Sequence, residues 1–128
     1  MRSFPDNAYG QDVIAPVRLE HRVDFGDRDG AAEDRFGYEY NFLVYEFAED
    51  EASAEAVHYM DQPDAVDLRV VEPPGLTSDF AQRVLVFLTM RYGTVNVPGE
   101  ADRYRPMPPA IADAVRARRV RHMARMSD

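Results

Sequence analysis

Apolar and polar positions alternate with period two along the first third of the chain. In 17–25, VRLEHRVDF, the residues Val17, Leu19, His21, Val23 and Phe25 fall on one side and Arg18, Glu20, Arg22 and Asp24 on the other. That pattern predicts a strand with one covered and one wet face. Residues 38–47, YEYNFLVYEF, are rich in aromatic and β-branched types and predict a second strand, apolar on both faces over its middle and hence central. Tyr38, Tyr40, Phe42 and Val44 share one of those faces. Residues 65–71 alternate again through Val66, Leu68 and Val70, and EPPG ends that strand because proline cannot donate to a ladder. Between these, residues 49–60 carry both helical alanines and a hairpin-like DQPD sequel; the strand is the slightly better reading.

The period then changes. In 77–92 the apolar residues Phe80, Ala81, Val84, Leu85, Phe87, Leu88 and Tyr92 fill one broad arc of a helical wheel. This is the principal helix, with Ser78 or Asp79 at its start, Gln82 reaching back, and Gly93 as the stop. TVNV (94–97) reads as a short edge strand, 98–109 as a proline-rich connector, and 109–126 as an arginine-rich terminal helix. The expected fold is therefore α+β: an antiparallel sheet of 3–5 strands on one main helix, with a second helix at the C-terminal end. The whole of 1–128 reads as a single domain with a loose lead-in over 1–12.

Charge alters this picture more than length does. The formal net charge is −8, yet residues 1–102 hold 21 acids against 8 arginines and residues 103–128 hold 7 arginines against 2 acids. Arg118, Arg121 and Arg125 form a stripe on the terminal helix, with Arg116 and Arg119 on its other side. These five predict either a phosphate-tracking helix or a strap lying on the protein's own acidic body. The shortness of the stripe, the lack of interleaved aromatics and the acidity of the rest favour the strap. Cysteine is absent, which removes disulfides and thiolate chemistry, and no signal-peptide pattern or apolar run long enough for a membrane occurs. A cytoplasmic location is expected.

Motifs of known chemistry are missing. The loop 24–34, DFGDRDGAAED, resembles a calcium loop only at Asp27, Asp29 and Gly30; Phe25 and Phe36 occupy the anchoring positions, so an acidic solvated loop is expected and no metal. His21 on an apolar strand face predicts a buried, hydrogen-bonded histidine, or a base in a pocket between sheet and helix. Arg91, on the apolar arc of the main helix, requires a carboxylate, for which Glu46 is the candidate. No nucleophile elbow, phosphate loop or histidine metal spacing is present, and no cofactor is expected.

The function these features predict is a small acidic protein-binding module, leaning away from an enzyme. An inhibitor or immunity-type protein has this physics, because an acidic face speeds capture of a basic partner. Asp27, Asp29, Glu33, Asp34, Glu49, Asp50 and Glu51 are the expected contacts, with Tyr38 and Tyr40 as aromatic anchors. The alternatives are a nucleic-acid accessory protein using Arg116, Arg118, Arg119, Arg121 and Arg125, and a small enzyme built around His21 and Arg91.

Overall fold

The structure is a computed structural model, and it describes residues 12–25, 39–100 and 103–126. Four strands run as an antiparallel meander: β1 (Arg18–Phe25), β2 (Glu39–Glu49), β3 (Ala52–Tyr59) and β4 (Ala65–Glu72). Helix α1 (Asp79–Arg91) follows, then β5 (Thr94–Pro98), β6 (Tyr104–Pro106) and helix α2 (Pro109–Met126). The six strands form one sheet in chain order.

The α+β class holds, with three corrections to the architecture. The sheet has six strands, and it is mixed: β5 runs parallel to β4, pairing Ala65 with Thr94, Val66 with Val95 and Asp67 with Asn96. A parallel neighbour requires the chain to cross the sheet before returning, and α1 makes that crossing. Consequently β5 is an interior strand, and the outer edge belongs to β6, formed within the proline-rich connector. Finally, β2 lies second from the other edge, so the sheet's centre falls at β3 and β4. The ambiguous stretch 49–60 is a hairpin: Glu49 pairs with Ala52, and Asp50 between them takes the left-handed backbone region at φ 52°, which Asp tolerates better than most residues.

One face of the sheet carries the core. Tyr45 and Phe47 on β2, Ala54 and Ala56 on β3, Val66, Leu68 and Val71 on β4, and Val95 and Val97 on β5 meet α1 there. Phe80, Val84, Leu85, Val86, Phe87 and Leu88 of α1 are all buried. This helix is covered almost all round because Ile111 and Val115 of α2 join the same core and α2 packs directly against α1. That explains its broad apolar arc. Ser78 is the N-cap, its hydroxyl accepting from the Ala81 N–H at 3.0 Å, while Gln82 donates to the Leu76 carbonyl. Asp79 is therefore free to form ion pairs. Gly93 does not need a left-handed backbone: the cap Tyr92 is extended, and a Cβ at 93 would collide with the Asp64 carboxylate. Among the described residues, no helix is long and apolar enough to cross a membrane.

Candidate interaction surface and the C-terminal strap

Asp12 introduces the most consequential arrangement. It is 3% exposed, and its two carboxylate oxygens accept from Arg121 at 3.1 Å and Arg125 at 2.5 Å. A buried carboxylate needs such partners, since burying an unpaired charge costs several kcal/mol or so. A second network begins at Glu49, at the end of β2, whose carboxylate holds both terminal nitrogens of the buried Arg83. Arg83 also donates from Nε to Asp79 at 2.9 Å, and Asp79 accepts from Arg118 at 2.9 Å. Arg118 Nε donates in turn to Gln82 at 3.2 Å. One chain of charges thus joins the sheet, α1 and α2. The Arg83 guanidinium is held even more firmly protonated than usual, first by its bond to Glu49.

The remaining two arginines of the terminal run also have partners: Arg116 with Asp113 at 3.2 Å, and Arg119 with the Thr89 carbonyl at 3.3 Å. Arg118, Arg119, Arg121 and Arg125 therefore bond to residues outside α2, as a strap would, while Arg116 is paired within its own helix. Beside them Val120, Met123 and Met126 are exposed, and the covered side of this stretch is Ile111, Val115 and His122.

Two expectations about single residues are overturned. His21 is exposed rather than buried. It lies on the same face as Leu43 and Tyr45, the face that α1 covers further along the sheet, and its Nε2 meets the Asn41 amide oxygen at 3.2 Å. Beside it Leu19 is 54% and Val23 45% exposed. Arg91 does not pair with Glu46. Its guanidinium stacks over the Phe87 ring at 4.7 Å, a cation–π contact at the surface, while Glu46 faces Arg18 at 3.9 Å. A cavity of about 270 Å³ is lined by Arg91, Val13, Phe87 and Met90; His21 is not among these residues.

Of the expected acidic contacts, Glu49 is engaged by Arg83, whereas Asp50 and Glu51 stand exposed at the β2–β3 turn. Asp27, Asp29, Glu33, Asp34 and Tyr38 lie outside the described residues. Tyr40 falls in β2, where its side chain is likewise outside the description.

Sequence reasoning assigned no role to Asp12, Arg83, His58 or His122, and placed Tyr92 only on the apolar arc of the main helix. Arg83 had a signal, its spacing of four from Asp79. The others had none. His58 is buried on β3, with Nδ1 2.8 Å from the Ala65 carbonyl oxygen and its ring 4.5 Å from that of Tyr92. The Tyr92 hydroxyl meets that of Tyr45 at 2.6 Å. Burial, and then this bond, push the Tyr92 phenol well above its ordinary range. No three His, Asp or Glu side chains among the described residues are grouped to hold a metal ion.

Comparison with protein-family models, curated proteins and solved structures finds no match to this chain.

Proposed function

We infer that the chain is a non-enzymatic binding module for a protein with a basic surface. One observation carries this reading: the positive segment is engaged by the protein itself, through Arg118–Asp79, Arg121–Asp12 and Arg125–Asp12. The charge left for a partner is then acidic, and Asp50 and Glu51 present it at an exposed hairpin tip. An acidic surface raises the association rate of a basic partner, an effect screened over about 8 Å at physiological salt. The same ion pairs weaken the nucleic-acid reading, because an arginine already bonded to a carboxylate must break that bond to reach phosphate.

The test compares the chain with an Asp50→Asn/Glu51→Gln variant as immobilised bait for proteins of its source cell. The expected result is a basic protein retained at low salt, released as salt rises, and lost with the variant. Retention unchanged by the variant, or a shift of DNA or RNA by the wild-type chain that Arg116→Gln/Arg119→Gln abolishes, would overturn the reading.

A further inference from the structure

β1 and β6 are the two edges of the sheet, and they are built differently. β6 is three residues long and ends on Pro106, a blunt edge of the kind that resists pairing. β1 is eight residues long, contains no proline and pairs with β2 in unbroken register. Among the described residues nothing pairs with its outer side. Its apolar side chains Leu19 and Val23, and Val17 just before it, are each 45% exposed or more. A long, regular edge with apolar side chains is a template for another strand.

We propose that this other strand is β1 of a second copy, joined antiparallel about a two-fold axis at His21. The argument is charge complementarity. With His21 opposite His21, Glu20 falls opposite Arg22 and Leu19 opposite Val23, each pairing occurring twice by symmetry. The charges of Glu20 and Arg22 then meet their opposites, and apolar meets apolar on the face shared with Leu43. Slipping by two residues in one direction sets Glu20 against Glu20 and Arg18 against Arg22; slipping in the other sets Arg22 against Arg22. Slips by one residue exchange the apolar and charged faces. One register survives all three tests. Within a single chain Glu20 already draws Arg18 at 3.1 Å and Arg22 at 3.2 Å along the strand, so the three charges lie together on one face of the edge strand. The product is a continuous twelve-stranded sheet with both helical layers on one side. This pairing is independent of the partner inferred above, since it involves neither Asp50 nor Glu51.

Sedimentation equilibrium of the full chain tests it. The expected result is a reversible dimer with a dissociation constant in the micromolar range. Glu20→Arg or Arg22→Glu alone places two like-charged pairs in the interface and should weaken the homodimer about tenfold or more. Mixing these two variants should restore association as a heterodimer, and the swap Glu20→Arg/Arg22→Glu should restore the homodimer. Circular dichroism checks that each variant keeps its fold, which exposed positions permit. A wild-type chain still monomeric at about 100 µM, or a dimer indifferent to both single reversals, overturns the proposal.

Discussion

Asp12 and Arg125 are 113 residues apart in the chain and 2.5 Å apart in space. Because the Asp12 side chain is 4% exposed and that of Arg125 is 49% exposed, the two ends of this bond are not equivalent. Removing the arginine leaves a buried carboxylate with Arg121 still on its other oxygen. Removing the carboxylate releases both cations to water, but it also opens the space Asp12 filled.

Asp12→Ala is therefore expected to destabilise the fold by about 1–3 kcal/mol, and Arg125→Ala by less, with Arg121→Ala similar to the latter. Deleting both arginines should cost more than the sum of the single changes, since only then is the carboxylate buried and alone. Urea unfolding of the four variants measures this directly. Equal losses for Asp12→Ala and Arg125→Ala would contradict it.

Arg83 allows a sharper comparison. Its side chain is 8% exposed, and it bridges Glu49 and Asp79. Arg83→Ala removes both the charge and the stem that packs in the core, for an expected loss of about 2–4 kcal/mol. Glu49→Gln/Arg83→Met, which removes the charges together and keeps most of the volume, should cost less than Arg83→Ala alone. Denaturant midpoints of the two variants decide the order.

Tyr92 predicts a loss of stability in alkali. Its phenol is raised in the fold by burial and by the bond to Tyr45, so the folded state keeps a proton that the unfolded state gives up. The stabilisation is complete below the unfolded value of about 10 and declines as pH rises above it. Tyr92→Phe should flatten this decline, and an absorbance titration at the phenolate band should lose its latest-ionising tyrosine.

Gly93→Ala is expected to displace the Asp64 carboxylate, which accepts the Gly93 N–H at 3.0 Å. Asp64 is exposed and can swing away, so the loss should stay near 1 kcal/mol, the worth of one hydrogen bond. Alanine at a helix end that required a left-handed backbone would cost comparably whatever occupied position 64. Pairing the change with Asp64→Ala separates the two causes, because the steric cost should then vanish.

The strands β1, β2 and β4 and helix α1 were legible because their residues repeat at the period of the element they form. β6 was not, since three residues, one of them Pro106, carry no period. The parallel pairing of β5 was hidden for a different reason: four alternating residues say that a strand exists and nothing about which neighbour it joins. His21 shows the limit of alternation itself. The pattern separates two faces of β1, but how far α1 extends over the sheet decides whether either face is covered. The strap was foreseeable from charge balance, whereas its anchor Asp12 was one acid among 23. Arg83 was missed although its spacing of four from Asp79 pointed to that partner; only the hairpin geometry supplies Glu49.

The junction between β4 and β5 is three residue pairs long, shorter than any ladder of the meander. Because β5 arrives after α1 has crossed, everything beyond that junction is attached to the first four strands by this brief ladder and by the side chains of the helical layer. Fluctuations should follow that line of division, releasing β5 and β6 as one cooperative piece while β1 to β4 keep their hydrogen bonds. In amide exchange, Val95 and Val97 would then report a common opening free energy lower than that of Val44 or Val57, although all four side chains are buried.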